Sequence, residues 1–181
     1  MSEQHHDASR THSTDPHTDG DLLQLVSFRV GQKTFAGPIF AVHEINRAMP
    51  ITPAAQGPAF IEGTINLRGS IIPVIDLRNR FSQPVNEHTR DERTLIVEVC
   101  NGGETHVVGL TVDQVHRVLR IPKDSVAPAS AEACGANSEA IAGVSQTDEG
   151  DLFLLSLDQM FSADELDLAK RTATGGAAKA A

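Results

Sequence analysis

The sequence predicts an all-β protein, a sandwich or barrel, with one short helix near its C-terminus. Short apolar runs rich in Val, Ile and Leu alternate with turn residues along most of the chain, a pattern typical of such folds. The chain has seven Phe but no Trp and no Tyr, so β-branched residues and Leu must build most of the core. Ser162 and Glu165 have the spacing of a capping box, which predicts that the helix begins there.

The first half of the chain contains predicted strands separated by turn residues. Gly31 marks the turn after the first strand, and Gly37 and Pro38 are predicted to interrupt the second. Gly69 is a predicted hinge between two later strands, while Pro73 predicts a sheet edge or a bulge because proline cannot donate to a ladder. The predicted elements are strands at Leu22–Val30, Lys33–Phe35, His43–Arg47, Thr64–Arg68 and Ser70–Leu77, and a helical turn at Ile39–Val42.

The second half continues the same pattern. The strongest signal is Asn101-Gly102-Gly103, which predicts a tight β-hairpin between two apolar runs. Asp148, Glu149 and Gly150 predict the turn of a later hairpin. The predicted strands are Leu95–Cys100, Thr105–Val112, Val115–Ile121, Ile141–Val144 and Leu152–Leu157.

The chain is predicted to be one domain with a tail at each end. Residues 1–20 are polar and cannot bury enough apolar surface to fold, so they are predicted to be a disordered tail. The irregular spacing of their histidines (His5, His6, His12 and His17) favours a solvated segment over a metal site. The domain is predicted to span 21–165. Residues 166–181 are predicted to be the end of the helix and a flexible tail that frays from Thr172.

Composition and charge exclude several classes of function. The formal net charge of −9 argues against a nucleic-acid binder, which needs Lys and Arg to displace phosphate counterions. Cys100 and Cys134 lie in unrelated contexts, which favours reduced thiols over a disulfide framework. The sequence has no signal peptide and no apolar run of about 20 residues. These features predict a cytoplasmic protein without direct membrane insertion.

Candidate catalytic residues do not form a known motif. Asp76 and Asp113 each end an apolar run, as a phosphoacceptor aspartate does, but the acidic pair, the lysine and the helices of a receiver domain are missing. Both are predicted instead to close a strand by accepting backbone N–H groups in the next turn. Asp76, Arg78 and His88 are scattered, and the glycines of GTINLRG lack phosphate-loop spacing. The sequence therefore predicts no enzyme and no cofactor.

Arg68 in the segment Asn66–Gly69 has two interpretations on physical grounds. A surface arginine can cover apolar neighbours with its methylene stem. It can also anchor a partner protein, because arginine offers several donors in a planar fork and is enriched at interfaces. The residues alone do not separate these two roles.

The run PAFIEGTINLRGSIIPVIDLRNRF, from Pro58 to Phe81, resembles the core signature of the CheW family. The similarity continues on both sides, in GQKTFAGPIFAVHEI (Gly31–Ile45), VVGLTVDQVHRVLRI (Val107–Ile121) and AIAGVSQTDEGDLFLLSLDQMF. The resemblance covers about residues 22–165 in order. Gly37 and Pro38 depart from it, because the family usually carries an apolar and a polar or acidic residue there.

The resemblance implies a fold and a set of partners. It implies two intertwined five-stranded SH3-like β-barrels with a groove between them. It also implies binding to the cytoplasmic tip of chemoreceptors and to the regulatory domain of the chemotaxis histidine kinase, and possible assembly with other CheW-like subunits in an array. The positions that match family contact sites are Val42, Glu44, Gly63, Arg68, Leu95 and Val118.

The same residues fit recognition of a helical partner in a groove. Val42, Leu95 and Val118 would form an apolar floor and Arg68 and Glu44 the polar anchors, although an apolar residue in a strand more often belongs to the core. Two alternatives remain at this point: a coupling protein of a pilus-motility or other non-flagellar chemosensory pathway, and a β-barrel nucleic-acid-binding module, against which the charge argues.

Overall fold

The computed structural model describes residues 21–85, 89–130 and 135–177, in which β-strands predominate. The sequence-predicted tail at 1–20, with its histidines, lies outside the described residues. The strands are β1 (Leu22–Val30), β2 (Lys33–Pro38), β3 (Val42–Arg47), β4 (Thr52–Pro53), β5 (Ile61–Leu67), β6 (Ser70–Asp76), β7 (Arg93–Asn101), β8 (Glu104–Val112), β9 (Gln114–Pro122), β10 (Val126–Ala127), β11 (Ile141–Thr147) and β12 (Gly150–Leu155). Among described residues the α-helices are α1 (Leu77–Arg80) and α2 (Ala163–Ala177).

The strands form two six-stranded sheets. Sheet A has the order β10-β11-β12-β2-β1-β9, and sheet B has the order β3-β7-β8-β6-β5-β4. In each sheet one strand has only two residues, β10 in sheet A and β4 in sheet B, which leaves five longer strands per sheet. The chain passes from sheet A to sheet B after β2 and returns after β8. This arrangement is the predicted pair of intertwined β-barrels.

The core consists of three hydrophobic clusters, one shared by the two sheets and one within each sheet. The largest lies between the two sheets and is here called the shared core, with Val26, Phe28 and Phe35 from sheet A and Val97, Val99 and Leu110 from sheet B among its members. Phe35 stacks on Phe81 with ring centroids 4.8 Å apart. A smaller cluster around Leu25 and Leu152 belongs to sheet A, and another around Ile65 and Ile96 belongs to sheet B.

The hairpin predicted at Asn101 is confirmed. Gly102 and Gly103 have φ of +60° and +84°, and Asn101 pairs with Glu104 across the turn. Positive φ at both central residues is the requirement of a type I′ turn, which Gly-Gly satisfies without steric cost. The predicted helical turn after β2 is also present, as a 3-10 turn at Ile39–Ala41.

The predicted interruption of the second strand is wrong. Strand β2 continues through Gly37 and Pro38, which pair with Val26 and Leu25 of β1. Pairing with β1 therefore overrides the local tendency of the Gly-Pro pair to break a strand. Pro73 is on β6, a strand that has β8 on one side and β5 on the other. The parallel pairing of β6 with β8 begins at Val74, one residue after Pro73. The missing N–H of Pro73 thus falls just outside that ladder.

The capping box of α2 forms as predicted. The backbone N–H of Glu165 donates to Ser162 Oγ at 3.2 Å, and Glu165 Oε2 accepts from the Ser162 N–H at 2.9 Å. Arg80 adds a bond to the same carboxylate, with Nη1 2.7 Å from Oε1. The helix extends to Ala177, past Thr172, where the sequence predicted fraying. The Thr172 hydroxyl bonds the Leu168 carbonyl, and Ala173 is buried.

A buried ionic cluster joins the ends of β6 and β8. The Arg78 guanidinium contacts the carboxylates of Asp76 at 2.9 Å, Glu92 at 3.1 Å and Asp113 at 3.3 Å, and its side chain is 1% exposed. Burial alone would lower the pKa of Arg78, but the hydrogen bonds and charge of Asp76, with Glu92 and Asp113, raise it above its usual range. Arg78 is therefore a permanent cation.

The two aspartates differ in how they meet the sequence prediction. Asp76 closes β6 as predicted, since its Oδ1 accepts the N–H of Arg78 in the following turn at 2.8 Å. Asp113 instead accepts the N–H of Gly31 at 2.6 Å, 82 residues away in the β1–β2 turn. Asp113 thus bonds to a turn of sheet A and, through Arg78, to the end of β6 in sheet B.

Glu62 lies near this cluster and gives a prediction for the pH dependence of stability. Burial raises the pKa of Glu62 above 4.5, the charges of Asp76 and Glu92 raise it further, and the hydrogen bond from Thr111 opposes the shift. The folded state therefore binds a proton more tightly than the unfolded state, so this contribution to stability falls as the pH rises above 4.5. We expect Glu62→Gln to raise the melting temperature at pH 7.5, and the gain to shrink as the pH is lowered.

Thermal unfolding at several pH values, monitored by circular dichroism, measures this difference. Glu139→Gln, at an exposed glutamate, is the matched control and should show no such trend. If Glu62→Gln raised the melting temperature by the same amount at every pH, the raised pKa of Glu62 would not be the cause of the gain.

Candidate protein-binding site

Arg68 lies at the tip of the β5–β6 hairpin. The sequence placed it at the end of a strand, but its φ is +53°, and Gly69 follows with a φ of +89°. These values belong to a type I′ turn, in which Asn, Asp or Gly is usual at the first central position and arginine is uncommon. The Asn66 carboxamide supports the turn by accepting the Gly69 N–H at 2.9 Å. The turn therefore presents the Arg68 side chain outward, 78% exposed.

The Arg68 guanidinium forms a bidentate ion pair with Glu44. Its Nη1 and Nη2 atoms lie 2.9 Å and 3.0 Å from the two carboxylate oxygens. Glu44 is on β3, which is separated from β5 and β6 by β7 and β8 in the order of sheet B. The pair thus bridges distant strands of the curled sheet. An exposed pair of this kind contributes only about 0–1 kcal/mol to stability.

Apolar side chains flank Glu44 along the chain. Val42 is half-buried on the same strand and packs against the shared core. Ile45 is 41% exposed and Phe40, in the 3-10 turn before β3, is 86% exposed. Protein interfaces typically combine exposed apolar surface with a polar rim, and the segment from Phe40 to Ile45 offers both kinds of side chain. Sequence analysis did not identify Phe40 or Ile45, although two large apolar residues beside predicted contact positions were a usable signal.

Val118 lies in the other sheet. It pairs with Val26 of β1, whose side chain is in the shared core, so Val118 is on the same face of sheet A. Its side chain is nevertheless 58% exposed. Val118 is therefore available to a partner, on a barrel different from the one that carries Arg68.

Two predicted contact residues offer no side-chain surface in this structure. Leu95 is 1% exposed and belongs to the shared core, and Gly63 is buried in β5. A Cβ atom added to Gly63 would lie 2.0 Å from the Thr52 carbonyl oxygen. Strand β4 can therefore pack this closely against β5 only because residue 63 is glycine. Leu95 and Gly63 can therefore affect binding only indirectly, by setting the shape of sheet B.

The groups considered for catalysis have structural partners. Asp76 and Arg78 are bonded to each other and buried, while His88 lies outside the described residues. Within the described ranges, no three His, Cys, Asp or Glu residues are placed to hold a metal ion. Cys100 is free and exposed, and Cys134 lies outside the described residues. None of the described helices is long and apolar enough to cross a bilayer.

The fold is a pair of intertwined β-barrels, and the candidate site on it consists of an exposed ion pair and nearby apolar residues. A family model for the CheW-like domain matches residues 24–165. The chain belongs to the CheW-like family, whose members are adaptor and scaffold proteins. This result confirms the resemblance found in the sequence and the predicted fold.

Individual relatives agree with the family. The chain is 33% identical over 150 residues to Chemotaxis protein CheW of Klebsiella aerogenes, covering 83% of this chain and 88% of that protein. It is 32% identical over 146 residues to the protein of that name from Rhizobium meliloti, covering 81% and 92% of the two chains. FrzA of Myxococcus xanthus is 33% identical over 105 residues, 58% of this chain and 63% of FrzA.

A solved structure has the same fold. The scaffolding protein TtCheW of Thermoanaerobacter tengcongensis superposes with a TM-score of 0.70 at 33% identity. The superposition covers 90% of this chain and 96% of TtCheW.

Proposed function

We propose that the chain is a non-enzymatic adaptor that couples chemoreceptor cytoplasmic tips to the chemotaxis histidine kinase and controls the activity of the kinase. It acts in the cytoplasm, where receptor arrays recruit it together with other CheW-like subunits. The observation that carries the proposal is the exposed Arg68–Glu44 pair, held on a type I′ turn beside Val42. Four of the six predicted contact residues, namely Val42, Glu44, Arg68 and Val118, have side-chain surface available to a partner.

A second candidate is a coupling protein of a pilus-motility or other non-flagellar chemosensory pathway. The similarity to FrzA supports this candidate, because FrzA is a relative that does not carry the name CheW. Both candidates use the same binding site. Binding assays with receptor signalling domains and kinases of each pathway distinguish them.

The test of the site is charge reversal at Arg68. We expect Arg68→Glu to weaken binding to a receptor cytoplasmic fragment or to the kinase regulatory domain by about thirtyfold, the usual cost of truncating an interface anchor. The melting temperature should change by no more than about 2–4 °C, because the exposed pair contributes at most about 1 kcal/mol. Titration calorimetry and thermal unfolding on one preparation measure both quantities.

The double variant Arg68→Glu with Glu44→Arg identifies the role of the pair. Binding stays lost if the Arg68 guanidinium itself contacts the partner, and returns if the pair only holds the turn against β3. Reversal of the exposed Lys170–Glu104 pair, whose charged atoms lie 3.6 Å apart, is the matched control. Unchanged binding to receptor and kinase in Arg68→Glu would refute the proposed site.

A further inference from the structure

Strand β9 is an edge strand with an unpaired side. Among the described residues it pairs with β1 alone, over a register that runs without a shift from Val26 opposite Val118 to Leu22 opposite Pro122. An edge strand presents a row of backbone donors and acceptors that can pair with another chain. This outer side of β9 is here called the β9 edge.

Two hydrogen bonds towards β1 identify the groups that face the β9 edge. The N–H of Arg117 donates towards β1, to Ser27 Oγ at 3.4 Å, and the N–H of Lys123 donates to the Asp21 carbonyl at 2.9 Å. Successive N–H groups of a strand point to alternate sides, so those of Val118 and Arg120 point away from β1. Pro122 has no N–H and ends the row. The β9 edge therefore offers the donors of Val118 and Arg120 to a partner strand.

The side chains of β9 define the chemistry of that partner. The strand has two arginines and one histidine and no acidic residue, in a chain of net charge −9. Arg117 is engaged by Glu149 at 3.2 Å, whereas Arg120 and His116 are exposed. Val118 and Arg120 lie two positions apart and so share a face. A complementary strand places an apolar residue opposite Val118 and a carboxylate opposite Arg120.

We infer that the β9 edge binds an extended acidic segment of a partner protein by β-strand addition. The inference rests on the proposed function, since Val118 is one of its predicted contact residues, and it adds the mode of recognition and the charge of the partner. A second copy of the chain fits less well. Two-fold antiparallel pairing about Val118 would set His116 opposite Arg120, which leaves Arg120 without a facing carboxylate because β9 has no acidic residue.

Two matched synthetic peptides test the inference on the full chain. One peptide carries valine and glutamate alternately on one face and threonine on the other, and its control replaces glutamate by lysine. We expect the acidic peptide to bind at least about tenfold more tightly than the control in fluorescence anisotropy, with binding that weakens as salt is added. Amide hydrogen exchange at Val118 and Arg120 should slow in the complex.

Variants of β9 separate the backbone and charge contributions. Val118→Pro removes an outward donor without removing a bond to β1, and Arg120→Glu reverses the exposed charge. Each should weaken binding of the acidic peptide at least about tenfold, while Arg171→Glu, at an exposed arginine of α2, should not. Arg120→Glu keeps the test valid if the proline variant fails to fold.

Three outcomes would overturn the inference: equal binding of the two peptides, binding that survives Arg120→Glu, or a dimer of the chain that Val118→Pro dissociates. Its failure is distinguishable from failure of the proposed function. If the peptide does not bind while receptor and kinase still bind, only the inference fails. If the peptide binds while wild-type protein binds neither receptor nor kinase, the proposed function fails instead.

Discussion

Arg78→Met is expected to lower the free energy of unfolding by about 3–5 kcal/mol, the cost of removing one partner from a buried ion pair. The substitution leaves Asp76, Glu92 and Asp113 buried without the guanidinium that all three contact. Methionine fills similar volume, so the loss reports the removal of the guanidinium from the three carboxylates more than a cavity. Urea denaturation gives the free energy, and the slope of the transition shows whether unfolding stays two-state.

Arg68→Met is the matched control for this prediction, because it makes the same substitution at an arginine that is 78% exposed. We expect it to cost no more than about 1 kcal/mol. Arg78→Lys should fall between the two, since lysine keeps the charge but lacks the planar fork that reaches three carboxylates. Equal losses in the two methionine variants would show that the buried cluster does not stabilise the fold.

Gly63→Ala should destabilise the protein by about 1–3 kcal/mol, the usual cost of overpacking. Its Cβ would lie 2.0 Å from the Thr52 carbonyl oxygen and 2.8 Å from Ile51 Cγ2. The strand β4 has only two residues, Thr52 and Pro53, and pairs with β5 at this point. The substitution must therefore displace β4 from the edge of sheet B.

Gly37→Ala is the control, because the nearest atom to its added Cβ, Phe28 Cε1, lies 4.0 Å away in ordinary contact. We expect it to be neutral or slightly stabilising, since alanine loses less backbone entropy than glycine in a strand. Thermal unfolding compares the two variants, and partner binding well below the transition shows whether Gly63 affects the interface. A melting temperature for Gly63→Ala equal to that of Gly37→Ala would contradict the steric argument.

The elements that sequence analysis predicted correctly depend on neighbours along the chain. The Gly102-Gly103 turn needs only residues that tolerate positive φ, and the capping box needs only Ser162 and Glu165 three positions apart. Both were therefore visible in the sequence. The β2 strand was misjudged at Gly37 because its continuation depends on pairing with β1.

The candidate site shows the same division. The resemblance to the family selected Arg68 and Glu44, but their bidentate contact depends on how sheet B curls to bring the β5–β6 turn to β3. The positive φ of Arg68 was equally hidden, because the strand pattern extended the predicted strand one residue too far, through Arg68, and left only Gly69 as the hinge. Phe40 and Ile45 are close in the sequence to predicted contact positions, but their exposure depends on how the 3-10 turn and β3 pack.

Local chemistry in the amino-acid sequence thus defines the strands, the turns and the helix start, because those signals act within a few residues. The burial of individual side chains depends on packing between distant strands. Leu95 and Val118 are both apolar residues of predicted strands, yet Leu95 lies on β7 between two neighbours and is 1% exposed, while Val118 lies on an edge strand and is 58% exposed. Asp76 and Asp113 both end apolar runs, but only sheet assembly brings Asp113 to Gly31, 82 residues away, and to the buried Arg78.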